Sequence, residues 1–247
     1  MQYSNILLDS LLLLDLRIRG KIPSLEAEFD MMWGLSSCCP DYWKFVLDGN
    51  QSSGCIPFDR WDVYSLAAKS NLSEKAKMQI LYGSFVHDLE LFDPSVFVIS
   101  MVEAESMSPF QRVLIECAYL AFLDAGYTLH EMKGLNFGVF VGTSASSGER
   151  PTNSIKSSLS SVYSATGASA SIVSGEISYV LNLQSPNIMY DTAYSSSLVA
   201  LDAAVSALQM RKCDMAFTAS ANELFDMKLF EAFARAGMLS LTWQCHT

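Results

Sequence analysis

The sequence predicts an α/β fold in which strands and helices alternate along the chain. The chain has 247 residues, half of them apolar and 17% charged, which is the composition of a globular protein with a full hydrophobic core. From about residue 80 onward, short β-branched and aromatic segments alternate with longer segments of helical periodicity. Strands joined through helices pair in parallel, so we expect helices on both faces of one sheet.

The best-marked helix of the first half spans residues 108–126. Ser108 is a suitable N-cap, Pro109 suits the first helical position, and Gly126 can end the helix. Few of its positions are polar, so most of its circumference should be buried. The segment that follows, LNFGVFVGT at 135–143, predicts a buried strand because it is rich in β-branched and aromatic residues.

The second half repeats this alternation. The predicted elements are a helix at 168–182, a strand at 187–193, a helix at 195–210, a strand at 214–221 and a helix at 226–237. In α/β folds of this kind, sites lie at the carboxyl ends of strands, where helices begin. The junction between the strand at 187–193 and the helix at 195–210 is therefore the candidate site.

The N-terminal residues 1–33 are interpreted as an extension that precedes the main region, residues 34–247. The apolar stretch at 6–16 is interrupted by Asp9 and Asp15 and is far shorter than the ~20 residues that span a bilayer. Its cations follow the stretch, whereas a signal peptide carries them before it. We expect a short amphipathic helix or strand attached to the main body, and no membrane span.

Charge and cysteine usage exclude several classes of function. Sixteen Lys and Arg against 26 Asp and Glu give a formal charge of -10, which disfavours nucleic acid and anionic membranes as partners. Six scattered Cys, with an adjacent pair at Cys38–Cys39 and no CxxC, indicate neither a disulfide framework nor a zinc site. The loop GTSASSG at 142–148 lacks the Lys-Ser/Thr ending of a phosphate loop. We expect a reduced, intracellular protein, most simply cytoplasmic.

At the candidate site, residues 190–198 read YDTAYSSSL, with Tyr194 at the turn. A side chain at such a turn meets unpaired N–H groups and the positive end of the helix dipole, which lower a thiol pKa and can stabilise an oxyanion. The serines Ser195 to Ser197 also suit ordinary helix capping. Hydrolysis by these serines has no support, because the sequence offers neither a GxSxG elbow nor a His partner.

The chain resembles the β-ketoacyl synthase, or ketosynthase, domains of polyketide and fatty-acid synthases. DTAYSSSLVAL at 191–201 is similar to the family's nucleophile motif DTACSSSLVAL. Further matching segments, in family order between residues 34 and 247, are IPFDRWD (56–62), GSFVHDLELFDPSVFVIS (83–100), EAESMSPFQR (103–112), FGVFVGTS (137–144), YSATG (163–167), SGEISYVLNL (174–183) and FARAGMLS (233–240). The resemblance implies a thiolase-like layered αβαβα architecture, of which this chain would form the N-terminal half of the duplicated fold.

The resemblance also implies what the candidate site would do in an active member. A Cys takes an acyl group from the phosphopantetheine of a carrier protein, two later His promote malonyl decarboxylation, and no metal or further cofactor is needed. Tyr194 stands at the position of that Cys. A phenol titrates near 10 and a thiol near 8.5, thiolates exchange thioesters better, and the phenolic oxygen lies well beyond a Cys sulfur. We expect that Tyr194 does not carry an acyl chain.

The histidines and the remaining cysteines offer no replacement. His87, His130 and His246 do not stand in the family's catalytic His contexts, and solvated or capping roles are expected for His87 and His130. The family segment GRCHTFD is cut at the chain end, so the catalytic pair is expected to be missing. Cys117 and Cys213 lie in apolar patterns and are predicted to be core thiols.

Two substitutions near the site depart from the family pattern. Glu176 stands where the family usually has Arg, which reverses a charge. Asn182 replaces a usual Gly and predicts a strained approach to the next strand.

Two functions follow from the resemblance. The first is a ketosynthase-family fragment, a pseudoenzyme inactive in condensation, with a role in scaffolding, dimerisation or carrier-protein docking. The alternative is a 3-oxoacyl-(acyl carrier protein) synthase-type acyltransferase, or a decarboxylase, that a longer chain or a partner completes. The expected partners are a second copy paired through residues 187–193 and an acyl carrier protein or neighbouring synthase domains.

Overall fold

The architecture is given by a computed structural model of the chain. It describes residues 11–19, 24–32, 44, 47–50, 53–58, 60–84, 89, 91–144, 162–163, 166–167, 169–222 and 227–242.

The described strands form one five-stranded sheet and one short two-stranded sheet. In chain order they are β1 (Leu11–Arg19), β2 (Ser24–Met32), β3 (Gly54–Cys55), β4 (Tyr82–Gly83), β5 (Phe137–Gly142), β6 (Asn187–Tyr190) and β7 (Met215–Ser220). The large sheet has the order β2-β1-β7-β5-β6, and β3 pairs with β4.

The four predicted helices are present close to their predicted positions, and the described residues contain three short helices that were not predicted. In chain order they are α1 (Val63–Lys69), α2 (Glu74–Gln79), α3 (Met101–Ser106), α4 (Pro109–Asp124), α5 (Val173–Val180), α6 (Ser196–Gln209) and α7 (Lys228–Arg235). A single 3₁₀ turn, Ala170–Ile172, leads into α5.

The core of the large sheet is parallel, as predicted. β5 lies between β6 and β7 and pairs with both in parallel. β1 pairs antiparallel with β2 and with β7, so the sheet as a whole is mixed. Of the two alternatives for the apolar stretch at 6–16, the strand is adopted from Leu11 onward, and residues 6–10 lie outside the described residues. The boundary at residue 33 stays a prediction.

Both faces of the sheet are covered by helices, as the alternation predicts. Val139 and Val141 of β5 point to one face, where they join the buried cluster that includes Leu114 of α4 and Ile177 of α5. Phe140, between them, points to the opposite face and packs with the small alanines of α6. Because β5 is buried on both sides, its sequence is apolar throughout rather than alternating.

Helix α4 begins and ends where its sequence predicts. The Oγ of Ser108 accepts a hydrogen bond from the Gln111 N–H, and the Gln111 side chain accepts one from the Ser108 N–H, forming a capping box before Pro109. At the other end, Gly126 has φ +83°, the left-handed conformation that terminates many helices.

The start of α4 also holds a distant segment in place. The Gln111 Nε2 donates to the Thr166 carbonyl over 3.1 Å. The next residue, Gly167, lies against the backbone of Ser106. A Cβ atom on residue 167 would stand 1.9 Å from the Ser106 carbonyl oxygen, so only Gly fits here. Two segments that matched the family separately, 103–112 and 163–167, are therefore in direct contact.

Candidate active site

The candidate site lies at the carboxyl ends of the three parallel strands, as expected for an α/β fold. Backbone hydrogen bonds join the residues that follow these strands. The Thr143 N–H donates to the Tyr190 carbonyl over 2.9 Å, and the Ala221 N–H donates to the Gly142 carbonyl over 3.3 Å. These bonds hold together the strand ends that lie beneath the turn containing Tyr194.

Gly142 allows the end of β5 to approach the start of α6. A Cβ on Gly142 would stand 2.6 Å from the carbonyl carbon and oxygen of Ser196, closer than real Cβ atoms approach backbone. Only a residue without a Cβ fits this contact. The first turn of α6 is thereby held directly against the sheet.

The turn between β6 and α6 is tight and left-handed at one residue. Ala193 has φ +57°, which is unusual for a residue other than Gly, Asn or Asp. The Asp191 Oδ1 accepts a hydrogen bond from the Ala193 N–H over 3.2 Å. Because of this turn β6 ends at Tyr190, three residues before the predicted end of the strand.

The serines after Tyr194 hold this turn rather than cap the helix. The Ser195 Oγ lies 2.9 Å from both the carbonyl and the hydroxyl oxygen of Thr192, and as the N-cap residue its side chain makes no capping bond. The Ser196 Oγ is buried; it accepts from the Thr192 N–H and lies within donating distance of the Thr143 carbonyl. The expectation of ordinary capping is therefore wrong for these two residues, because their oxygens are used by the turn.

Tyr194 lies on top of this elbow, with about half of its surface exposed. Its ring faces that of Phe233 in α7, with ring centroids 6.4 Å apart and planes inclined by 47°. Helix α7 is anchored from below by Phe230, which is fully buried and makes an edge contact with Trp61. The helix that carries Phe233, the contact partner of Tyr194, is thus fixed by a separate buried cluster.

Residue 194 lies directly before Ser195, the N-cap residue of α6, and its side chain is a phenol. A sulfur at this position would lie next to the N-terminus of α6, where the helix dipole favours a thiolate. The hydroxyl of a tyrosine lies on the far side of a six-membered ring from that point. The hydroxyl oxygen of Tyr194 is therefore too far from the N-terminus of α6 to be activated as a thiolate there would be.

Glu176, which replaces the family's Arg, is a partly buried carboxylate in the first turn of α5. Its Oε2 is enclosed by protein and has no hydrogen-bond partner among the described residues. Burial, together with the negative charge of Glu103 on α3, raises the pKa of Glu176 to about 7. The carboxylates of Glu176 and Glu103 therefore repel each other.

The other residues singled out by sequence fall in ordinary environments. Asn182 has φ +54°, the conformation expected from the Gly it replaces and one that Asn tolerates. His130 is exposed in a turn, as expected for a solvated residue. Cys117 and Cys213 are buried among apolar side chains, which confirms them as core thiols; burial raises the pKa of Cys213. His87, His246 and the Cys38–Cys39 pair lie outside the described residues.

Two features of the site were not foreseen from the sequence. Phe233 opens the matching segment FARAGMLS, but nothing local indicates that it contacts a residue 39 positions earlier. Ala193 carries no residue-type signal for a left-handed turn. Within the part of the chain that the structure describes, no three His, Cys, Asp or Glu residues are placed to bind a metal ion, and no helix is long and apolar enough to cross a bilayer.

The parallel strands, the two helical layers and the strand–turn–helix elbow define an α/β protein of the thiolase-like class. The profile of the family described as "Beta-ketoacyl synthase, N-terminal domain" matches residues 34–247. The chain belongs to this family, as the sequence motifs predicted.

Relatives and solved structures agree on this assignment. Polyketide synthase PksN of Bacillus subtilis is 36% identical over 209 residues, covering 83% of this chain and 4% of the relative. The highly reducing polyketide synthase virA of Hypocrea virens is 35% identical over 210 residues, covering 83% of this chain and 9% of the relative. A mutant form of the ketosynthase from module 6 of the bacillaene synthase of Bacillus subtilis superposes with a TM-score of 0.72 at 27% identity, covering 95% of this chain and 35% of that one. The chain therefore spans less than a tenth of these multidomain relatives and about a third of a solved ketosynthase.

Proposed function

We propose that this chain is part of a ketosynthase-family domain that does not catalyse condensation through residue 194. The observation that carries the proposal is Tyr194 itself, which stands on the nucleophile elbow with its ring against Phe233. In the resembled family this position holds the Cys that accepts the acyl group.

Acyl transfer from a thioester needs a nucleophile that is ionised near neutral pH, and a phenol meets this condition far less readily than a thiol at a helix N-terminus. The phenolic oxygen also lies a ring's length farther from the backbone than a Cys sulfur would, and so farther from the backbone N–H groups that would stabilise a tetrahedral intermediate. Both effects act against loading at this position.

The partners follow from the family and from the sheet. Acyl groups on the phosphopantetheine of a carrier protein are the proposed ligands of the domain, with no further cofactor, and the proposed setting is an intracellular polyketide or fatty-acid assembly system with neighbouring synthase domains. β6 is the last strand of the described sheet, and Ile188 on it is 40% exposed. An apolar edge strand of this kind favours pairing with a second copy of the chain.

The alternative is an acyltransferase of the 3-oxoacyl-(acyl carrier protein) synthase type, completed by a longer chain or a partner. One observation favours it: apart from Tyr194, the elbow retains the close contact at Gly142 and the buried hydrogen bonds of Ser196. A scaffold that still supports a nucleophile is compatible with altered chemistry, such as malonyl decarboxylation without condensation.

The experiment compares the polypeptide that naturally contains this chain with its Tyr194→Cys variant. Each is supplied with an acyl-loaded carrier and a malonyl-loaded carrier, and both CO₂ release and 3-ketoacyl product are measured. Our proposal expects neither product from the native protein. Ketoacyl product from the native protein would overturn the proposal, and CO₂ without ketoacyl product would support the alternative.

A further inference from the structure

The peptide group between Thr143 and Ser144 connects the end of β7 with the elbow. Its carbonyl oxygen, which belongs to Thr143, lies 2.8 Å from the Ser196 Oγ. Its N–H, which belongs to Ser144, donates to the Asn222 Oδ1 over 2.7 Å. The carbonyl and the N–H of a planar trans peptide group point in opposite directions, so one rigid unit is held at both ends.

The carbonyl end of this peptide group reaches the turn through the buried hydroxyl of Ser196. The Ser196 Oγ accepts a hydrogen bond from the Thr192 N–H over 2.9 Å, so a path of hydrogen bonds runs from Asn222 through the peptide group and Ser196 to the turn. The Ala193 carbonyl is also within reach of the Ser196 Oγ, at 2.6 Å, but Ala193 belongs to the turn itself. The bond to the Thr143 carbonyl is therefore the one of the two that ties the turn to the end of β5.

The backbone next to Asn222 is held against β5. Gly142 pairs with Ser220 in the parallel ladder of β5 and β7, and the Ala221 N–H donates to the Gly142 carbonyl over 3.3 Å. The half-buried side chain of Asn222 thus extends toward Ser144 from a fixed backbone. Hydrogen bonds linked in series polarise one another, which strengthens each bond of the path. Removing the Asn222 oxygen would take this acceptor from the Ser144 N–H and let the peptide group reorient.

We propose that Asn222 is a positioning residue of the elbow: its side-chain oxygen orients the peptide group that holds Ser196, and thereby the turn that carries residue 194. The hydrogen-bond path stands on the structure alone. Its functional meaning rests on the proposed function, in which residue 194 stands at the position of the family's nucleophile. The sequence gives no local sign of this role, because Asn222 lies 78 residues after Ser144.

The first test measures amide hydrogen exchange in the polypeptide that naturally contains this chain. Asn222→Ala should make the Ser144 and Thr192 amides exchange about tenfold faster, although the Thr192 N–H donates to Ser196 and not to Asn222. Asn222→Asp retains an acceptor oxygen and should keep both amides within about twofold of wild type. Faster exchange of Ser144 alone, or exchange in Asn222→Asp as fast as in Asn222→Ala, would overturn the proposal.

Asn136→Ala is the matched control for general destabilisation. The Asn136 Nδ2 donates to the Asp214 Oδ2 over 3.1 Å, so this side chain also joins β5 to β7, but at the opposite edge of the sheet. We expect it to lower the urea midpoint while leaving Thr192 exchange within about twofold of wild type. Equal acceleration of Thr192 exchange by Asn136→Ala would overturn the assigned path. Asn222→Ser, with a shorter side chain, replaces Asn222→Ala if that variant does not fold.

The second test measures the pH profile of iodoacetamide labelling at residue 194 in the Tyr194→Cys background. Adding Asn222→Ala should raise the apparent pKa of the new thiol by about half a unit and slow its labelling at pH 7 about threefold, because the thiol is no longer held at the N-terminus of α6. Adding Asn136→Ala should leave the profile unchanged. An unchanged profile with Asn222→Ala would overturn the positioning role. A thiol at residue 194 that is no more reactive than Cys55 while Asn222 is present would contradict the proposed function instead, and Thr192 exchange would still decide the role of Asn222.

Discussion

The rings of Tyr194 and Phe233 face each other with centroids 6.4 Å apart, so the turn before α6 is in contact with α7. In our proposal, this aromatic pair stands where an active ketosynthase presents a thiol. Helix α7, which carries Phe233, is packed into a buried apolar cluster. The contact between Tyr194 and Phe233 is therefore fixed by the packing of the chain. The turn is therefore packed against α7 at Tyr194, which we propose to stand at the position of the family's nucleophile.

The buried Ser196 is expected to be the main polar support of the elbow. Ser196→Ala removes the acceptor of the Thr192 N–H and the donor to the Thr143 carbonyl, and should lower the free energy of unfolding by about 2 kcal/mol. Ser195→Ala, at the neighbouring exposed serine, should cost less than about 1 kcal/mol. Urea unfolding of both variants measures the difference; equal losses would contradict the assigned role.

The carboxylate of Glu176 should make stability depend on pH. Its pKa is raised from 4.5 to about 7 in the folded chain, so folding binds a proton and stability falls as the pH rises between these values. The shift corresponds to at most about 3 kcal/mol, which partial exposure reduces to roughly 1 to 2 kcal/mol. Glu176→Gln should therefore be more stable than wild type above pH 7, with little difference near pH 4.

The matched control for Glu176 has the opposite sign. The Thr128 hydroxyl and N–H donate to the Glu131 carboxylate and lower its pKa, so this exposed group stabilises the chain at neutral pH and loses that effect in acid. Glu131→Gln should slightly destabilise the chain at pH 7. A pH profile in which both Gln variants change in the same direction would refute the account of Glu176.

The edge strand β6 should mediate self-association. Ile188→Lys places two like charges near the two-fold axis of the proposed dimer and should yield a monomer in sedimentation velocity. Leu66→Lys, at a residue of the same 40% exposure on α1, serves as the control and should leave the association unchanged. If wild type and both variants sediment alike, the pairing through β6 is wrong.

Restoring a thiol should reveal the reactivity of the elbow. In Tyr194→Cys the new thiol lies at the N-terminus of α6, which favours the thiolate, whereas Cys117 and Cys213 are buried. Iodoacetamide labelling at pH 7, quantified for each Cys-containing peptide, should modify residue 194 faster than the two buried thiols and also faster than the exposed Cys55. Labelling no faster than at Cys55 would mean that the elbow does not activate a nucleophile.

Local signals predicted the parts of the fold that local chemistry controls. Ser108, Pro109 and Gly126 mark the ends of α4 because capping and left-handed termination depend on single residues. The strand at 187–193 was predicted too long, since apolar pattern does not register the turn at Ala193. The antiparallel pairing of β1 with β7 could not be predicted, because it joins segments about 200 residues apart and no local sequence pattern indicates it.

The candidate site was predicted in its position but not in its contacts. The DTAYSSSLVAL segment located the elbow, and the strand–helix alternation placed it at the carboxyl ends of the sheet. The contact of Tyr194 with Phe233, the donor role of the serines and the enclosed oxygen of Glu176 arise from tertiary packing. Such contacts depend on the tertiary fold, so no residue pattern near Tyr194 predicts them.

The most direct measurement of the central claim is the intact mass of the chain after incubation with an acyl-loaded carrier protein. Wild type and Tyr194→Cys are treated in parallel, and the site of any adduct is mapped by peptide sequencing. The account predicts no adduct at Tyr194 and a thioester adduct at residue 194 of the variant. A stoichiometric acyl adduct on Tyr194 of the wild-type chain would contradict it.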